Sequence, residues 1–552
     1  MHTNLMLALV AAPALIAAAP TNPIALAAQQ HLSARVWELG LDRDHSFALK
    51  NIHEDEAGGS HVRLNQSYNG VPVYQGEAIV HYKNGAVTGL TDALVRGLKL
   101  STNPTLTASE ALASAHTALA PKGEYNGAPT AELVVARVDV PVNIGRNGEE
   151  ITAQRAVLAY HVHAELENGA EETRHMDYLV NAHTGAILKS WSTLETGKPG
   201  GGSTGGIPGT AATGTGKSQY SGTVSLDTTL ATAGGYALQD MTRGTAGTFG
   251  HNVVTNLNHA TNGNGTIYQG DADNVWGDSA NYVTGSSTTA APGQTAGVDA
   301  AFGIQATWDM YKNVLGRNGI DNAGKASYLR VHYSTSYDNA FWSSTCFCMT
   351  FGDGSSFTVL TSVDVAGHEM SHGVNATSAN LAYSGESGGL NEGNSDIMGT
   401  MVEFYDLGGG AAAHATTIPA TGGNFTIGEQ LSATPLRYMY KPSLDGISPD
   451  FWYSGIGSLD VHYSSGVANH FFYLLSQGTT SLTNTSNGSS FAGVGNDHAA
   501  RIWYKALTAY MTSSTNYAGA RTATLSAATA LYGSASAEYA TVAKAWSAVN
   551  VN

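Results

Sequence analysis

His368-Glu369-Met370-Ser371-His372 decides the reading of this 552-residue chain. The stretch has the form H-E-x-x-H. On a helix, residues four apart lie one turn apart on the same face, so both imidazoles can reach one metal ion. A catalytic zinc takes three protein ligands and keeps a fourth position for water. The adjacent Glu369 can accept a proton from that water. A pentapeptide this short also arises by chance, so its neighbourhood has to supply the rest of a site.

Gly388-Gly389-Leu390-Asn391-Glu392-Gly393-Asn394-Ser395-Asp396 does so. Glu392 lies twenty residues beyond His372, room for a loop and a returning helix. At about 100° per residue, Glu392, Asp396 and Glu403 share one face of that helix. Asp364, His368 and His372, each four apart, form the matching stripe on the first. Laid antiparallel, the stripes make Glu392 the third zinc ligand and let Asp396 accept the second N–H of His368. Glu403 then reaches Asp364, and facing carboxylates in an exported protein suit a hard cation such as calcium. A solvated acidic face remains the alternative for Glu403. Further on, in Asp460-Val461-His462-Tyr463-Ser464-Ser465-Gly466, an extended backbone would point Asp460 and His462 to the same side. The carboxylate would hold the imidazole charged, and a cationic histidine near zinc can stabilise an oxyanion. A purely structural His–Asp contact explains the pair as well.

Composition sets the wider frame. Charged residues make up only 12% of the chain and hydrophobic ones 42%, so a packed core is affordable and disorder is excluded. The net charge of −17 repels nucleic acid and anionic membrane surfaces, and neither is expected as a partner. Leu5 to Ala19 is an apolar run too short to span a bilayer comfortably. Ala25-Leu26-Ala27 has the form of a signal-peptidase site, which implies export. No later apolar run reaches membrane-spanning length, so the exported protein is expected to be soluble. Cys346 and Cys348 are the only cysteines; a bridge between them and a pair of buried thiols both stay open.

Organisation follows from local pattern. Glu77 to Tyr82 alternates with period two before the tight-turn signal Asn84-Gly85, and Tyr160 to Glu167 repeats the pattern before Asn168-Gly169. Thr107 and Glu110 stand at capping-box spacing. Residues 197–216 collapse into Gly, Ser, Thr, Ala and Pro, the composition of a flexible, easily nicked linker. The expected layout is a signal peptide at 1–27, small α/β modules at 28–104 and 105–196, and the linker at 197–216. A β-rich lobe at 217–375, ending in the H-E-x-x-H helix, and an α-helical lobe at 376–552 complete it. The fold class is α+β.

Taken in order, H-E-x-x-H, the step to Asn-Glu-x-x-x-Ser-Asp and Asp-Val-His-Tyr-Ser-Ser-Gly resemble the thermolysin family, and especially its pseudolysin-like branch. Asp338-Asn339-Ala340-Phe341-Trp342 and Gly352-Asp353-Gly354 are similar to the family's active-site edge strand and following turn. Residues 61–76, with Gln66-Ser67-Tyr68-Asn69-Gly70-Val71-Pro72-Val73-Tyr74, resemble the fungalysin/thermolysin propeptide motif. Metzincins are disfavoured, because they carry glycine and histidine where this chain has Asn375 and Ser378.

The resemblance implies a two-lobe zinc endopeptidase, secreted, monomeric and made as an autoprocessed precursor, with 28–104 and 105–196 as its propeptide modules. Its partners would be peptide and protein substrates, with its own propeptide as intramolecular inhibitor. Glu369 would be the general base, with Tyr383 and His462 stabilising the oxyanion and Asp460 behind His462. Arg437 would hold a substrate carbonyl, and Asn339 and Ala340 the peptide backbone. Phe357, Leu360, Val365, Ile427 and Leu436 would line an apolar pocket for the side chain after the cut bond. One zinc is implied on His368, His372 and Glu392, and one calcium on Asp364, Glu403, Asn424 and Glu429. Asn424 stands where the family usually has aspartate.

Overall fold

A computed structural model describes residues 22–122, 125, 127–144, 150–166, 173–194 and 205–552. They fall into two compact units. One holds the residues up to Glu165 with Met176–Ser192, the other Leu166–His175 with Thr193–Asn552.

The first unit is built on one sheet. In chain order its elements are α1 (Pro23–Ala34), β1 (His45–Glu54), β2 (Gly59–Tyr68), β3 (Val71–Lys83), β4 (Ala86–Asp92), α2 (Ala108–Leu119), β5 (Thr130–Ile144), β6 (Glu150–Leu166), β7 (Arg174–Asn181) and β8 (Ile187–Ser192). The strand order is β1-β2-β3-β5-β6-β7-β8, with β4 also on β3. The two expected modules therefore share a sheet, joined where Val73 of β3 pairs in parallel with Val135 of β5. Asn69-Gly70 and Asn84-Gly85 both have positive φ at each residue, which matches the twist that a two-residue hairpin demands. Thr107 and Glu110 cap α2 reciprocally. The Asn168-Gly169 turn lies outside the described residues.

Two expected boundaries fall within regular elements. Asn22 caps α1, and Ala25, Ala28 and Leu32 are fully buried in the core beneath the sheet. A signal cut after Ala27 would run through this packed helix. The local A-x-A pattern could not reveal that, because it carries no record of burial. Residues 1–21, with the apolar run, lie outside the described residues. The linker is also shorter than 197–216. β9 (Gly209–Lys217) pairs along its whole length with β10 (Thr223–Ala231). Its glycines are there for close packing: a Cβ on Gly216 would meet Val298 and Leu226 at 2.6 and 2.8 Å. A glycine-rich strand read as a linker because crowding leaves no composition signal of its own. Residues 197–204 lie outside the described residues.

The rest of the second unit is a β-rich part followed by a helical part, the α+β arrangement expected. β11 (Asn252–Asn256) runs parallel to β12 (Tyr328–Tyr333), β12 parallel to β14 (Cys348–Gly352), and β13 (Ala340–Ser343) closes the sheet as an antiparallel edge. Between β11 and β12 the chain forms α3 (Ala291–Leu315). After β14 come α4 (Val363–Ala376) and α5 (Gly385–Leu407), then a two-strand ribbon of β15 (Thr426–Ile427) and β16 (Arg437–Tyr438). The short α6 (Val461–Ser464) leads into α7 (Gly466–Gln477), and three further helices complete the chain. Two cores result. Trp276, Trp308 and Trp342 centre the β-rich one, while Phe471, Trp503 and Trp546 centre the helical one. α4 serves both, giving Val365, Ala366 and Met370 to the first and Val363 and Val374 to the second.

Cys346 and Cys348 form a disulfide in the turn from β13 to β14, with Cα atoms 5.2 Å apart. A bridge closing so short a loop removes little entropy from the unfolded chain, about 1–2 kcal/mol. Cys346→Ser is therefore expected to lower Tm by only a few degrees, which calorimetry on the folded protein would measure.

Candidate metal centre and active site

Packing of α4 against α5 builds the site. The register is antiparallel: His372 meets Asn391, His368 meets Asp396, and Gly367 meets Gly399. A Cβ on Gly399 would lie 2.4 Å from the Asp364 carbonyl oxygen, and one on Gly367 would lie 3.0 Å from the Gly399 Cα. Gly399 is what lets the backbones approach this closely, and Gly367 relieves the tight contact opposite it. Each glycine costs about 1 kcal/mol of helix propensity relative to alanine, which burial of nearly the whole of both helices outweighs.

The three expected zinc ligands converge. His368 Nε2 and His372 Nε2 are 3.0 Å apart, and they lie 3.6 and 3.4 Å from the two Glu392 oxygens. These are the only three His, Cys, Asp or Glu residues so grouped among the described residues. Their outward nitrogens are fixed. Asp396 accepts from His368 Nδ1 at 2.9 Å, as the stripes predicted. Asn391 Oδ1 accepts from His372 Nδ1 at 2.9 Å, and Asn391 Nδ2 donates to the Leu381 carbonyl, which settles the amide's orientation. With both Nδ1 atoms held by acceptors, the two Nε2 atoms turn toward each other. Glu392 Oε2 is buried without a hydrogen-bond partner. Two converging Nε2 atoms and a carboxylate oxygen without a hydrogen-bond partner, all buried, are a donor set that fits a divalent cation.

The two histidines of the triad differ in charge state: against burial, the Asp396 hydrogen bond and the Glu392 charge raise His368 above the ordinary imidazole value. Burial holds the His372 imidazole down to about 4, so the ring is neutral as a ligand must be. Burial works against ionised Glu392, but His462, His372 and His368 outweigh it and draw the carboxyl down to about 2. Asp396 is held well below the usual carboxylate range by Arg437 and His368, again against burial. Glu369, 5% exposed, is pushed up to about 7, mainly by burial, with the Glu392 charge adding to it.

Opposite α4, Tyr383 donates to Glu392 Oε1 and lies 3.3 Å from His462 Nε2. Asp460 does not sit on an extended segment. It is the N-cap of α6, and its Oδ1 accepts both the His462 backbone N–H and Nδ1, at 3.0 and 2.8 Å. The cap geometry brings carboxylate and ring together without needing a strand. Burial disfavours the imidazolium, yet Glu392 and the Asp460 hydrogen bond raise its pKa above the ordinary value. The His462 side chain is 47% exposed and open to a ligand.

Arg437 reaches the site from β16 and grips Asp396 through Nε and Nη2 at 2.7 and 2.5 Å. Ala340 starts the edge strand β13, and Asn339 accepts the Gly352 backbone N–H just before it. Phe357, Leu360, Val365 and Leu436 share the β-rich core, whereas Ile427 counts with the helical one. Ile427 still meets Leu436 directly, accepting its backbone N–H at 2.8 Å.

The expected calcium residues also assemble. Asn424 Nδ2 donates to Glu403 at 3.1 Å and to Glu429 at 3.0 Å, and Thr426 donates to Glu429 at 3.1 Å. Asp364 accepts from Ser362 and from the Gly428 N–H, both at 2.6 Å. Glu403 Oε2 is buried without a hydrogen-bond partner. Burial, with Glu429 and Asp364 close by, pushes Glu403 up to about 9. Asn391 is the residue that reading by stripes missed. It sits one position before Glu392, off the acidic face, and its role depends on a contact with the other helix.

Comparison with known proteins agrees with this geometry. Residues 213–376 match the thermolysin metallopeptidase catalytic domain, residues 379–551 the thermolysin metallopeptidase alpha-helical domain, and residues 45–94 the fungalysin/thermolysin propeptide motif. A transglutaminase-activating metalloprotease of Streptomyces mobaraensis is 41% identical over 531 residues; the match takes in 93% of this chain and 62% of that protein's length. Thermolysin of Alicyclobacillus acidocaldarius subsp. acidocaldarius is 31% identical over 93% of this chain and 88% of its own. Bacillolysin of Bacillus cereus is 32% identical over 92% and 85%. With its catalytic and helical domains, its propeptide motif and its His-His-Glu triad, the chain belongs to the thermolysin family of zinc metalloendopeptidases.

Proposed function

We propose that this protein is a secreted endopeptidase that cuts internal peptide bonds before bulky hydrophobic residues and is made as an autoprocessed precursor. The observation that carries the reading is the buried triad of His368, His372 and Glu392 with Glu369 beside it. Zinc held by that triad would act as a Lewis acid, polarising the substrate carbonyl and making an attacking water acidic near neutral pH. Glu369, with its pKa raised to about 7, takes the proton of that water and passes it to the leaving amine. His462 and Tyr383 donate to the oxyanion that develops on the substrate. Asp460 keeps His462 charged and turned inward. The free edge of β13 offers unpaired backbone groups to an extended peptide, with Asn339 and Ala340 as its contacts. Arg437 holds a carbonyl beyond the cut, and Phe357, Leu360, Val365, Ile427 and Leu436 favour a large apolar side chain there.

The propeptide motif and the precursor length support an inhibitory segment that is removed within the Gly-rich stretch before Gly209. The signal peptide is proposed to end upstream of Asn22, which spares α1. One calcium on Asp364, Glu403, Asn424 and Glu429 would neutralise carboxylates that otherwise repel each other.

Glu369→Gln tests the mechanism. The variant precursor is expected not to mature by itself and to cut peptides blocked at the N-terminus about 10²–10⁴-fold more slowly. Maturation in isolation with casein hydrolysis at the wild-type rate would overturn it. A map of wild-type cuts in a peptide mixture should show Leu, Ile or Phe after the scissile bond.

The His462 pKa is raised, so its charged form persists toward higher pH and activity fails as pH climbs past that pKa. Asp460→Asn removes one cause of the raised value. It is expected to move the alkaline limb of kcat/KM to lower pH and to cost about tenfold at neutral pH. A profile identical to wild type would separate Asp460 from the chemistry.

Calcium is tested by melting. A calcium-selective chelator is expected to lower Tm by several degrees and added calcium to restore it. In Glu403→Gln, neither addition should move Tm.

A further inference from the structure

Asp396 is fully buried, and donors from three separate elements surround its carboxylate. Oδ1 accepts from His368 Nδ1 at 2.9 Å and Arg437 Nη2 at 2.5 Å. Oδ2 accepts from Arg437 Nε at 2.7 Å and from Asn469 Nδ2 at 2.8 Å. Asn469 lies in the first turn of α7 and is 1% exposed. Neither the sequence motifs nor the helix stripes point to it, since it is 73 residues from Asp396.

Two features separate this contact from ordinary core packing. An ionised carboxylate accepts only, so the asparagine must present Nδ2 to it. That choice leaves Asn469 Oδ1 buried with no hydrogen-bond partner. A buried acceptor left unpaired is destabilising, and a leucine of similar size would fill the position without that penalty. Asn469 therefore makes sense for what its amide does to Asp396. Arg437 alone is a weaker guide. It stands on a two-residue ribbon, keeps 16% of its side chain exposed, and is the residue proposed to engage substrate. Asn469 approaches from a core helix, which gives the carboxylate a fixed point on the side away from solvent.

We propose that Asn469 is a positioning residue of the metal centre: acting through Asp396, it fixes the carboxylate plane that holds His368 Nδ1–H and so aims His368 Nε2 at the zinc. The proposal rests on the zinc reading above. It belongs to the outer shell of hydrogen bonds through which proteins orient metal-ligating histidines.

A double-substitution cycle in the full-length Glu369→Gln chain, which cannot digest itself, tests it. Zinc dissociation constants are measured by competition with a chromophoric chelator for the parent, Asn469→Leu, Asp396→Asn and the double variant, with Tm of each zinc-free form. Asn469→Leu is expected to weaken zinc binding about fivefold to tenfold, with the zinc-free Tm within about 2 °C of the parent. With Asp396→Asn already present, the same substitution should change affinity less than about twofold, because the two residues act as one unit. Visible bands of the cobalt-substituted Asn469→Leu protein should shift as well, a response that loss of core packing alone would not give. Unchanged zinc affinity in Asn469→Leu, or an equal loss in both backgrounds, would overturn the proposal. A parent chain that binds no zinc would overturn the metal reading first and this one with it. Should Asn469→Leu not fold, Asn469→Ser removes the same amide from Asp396 and enters the same cycle.

Discussion

The close crossing of α4 and α5 at Gly367 and Gly399 is the constraint on which the rest of the site depends. A Cβ at position 399 would collide with the Asp364 carbonyl of the facing helix, and one at position 367 would press tightly on the Gly399 Cα. Because the helices meet there, His372 falls opposite Asn391 and Glu392, and His368 opposite Asp396, four residues further along α5. Sliding one helix by a single residue would rotate its stripe by about 100° and scatter the donors. One steric contact thus sets the register of five functional side chains.

The same crossing concentrates charge where water cannot screen it. Glu392 and Asp396 are fully buried, and Glu369, His368 and His372 nearly so. Buried charge is tolerable only when paired. Asp396 achieves this with protein donors alone: a guanidinium, an imidazole and an amide. Glu392 keeps one buried oxygen without a hydrogen-bond partner beside the two Nε2 atoms, a donor set that suits one divalent cation. The neighbouring acidic group around Glu403 repeats the theme more weakly, since Asn424 and Thr426 already satisfy part of it.

Where expectation and structure part, a tertiary contact is the cause. The spacing of Asp460 and His462 points to an extended segment, and they meet instead because Asp460 caps α6. Residues 209–216 have a linker's composition, yet each lies opposite a residue of β10 in a paired strand. Ala25 and Ala27 look like a peptidase site and lie within a helix packed on a sheet. In each case the local pattern was real, and a partner distant in sequence decided its use.

By itself the sequence determined what local geometry governs. The four-residue spacing of Asp364, His368 and His372 and of Glu392 and Asp396 puts each set on one helical face wherever the helix is placed. Asn-Gly pairs dictate hairpin turns, and Thr107 with Glu110 dictates a helix start. The H-E-x-x-H centre and its third ligand were legible for that reason. Only the tertiary structure decided which residues stand behind the ligands. Asn391 facing His372, Arg437 gripping Asp396 and Asn469 closing its far side lie 19, 41 and 73 residues from the groups they hold. No periodicity spans such separations; packing of α4, α5, β16 and α7 around the shared core brings them together.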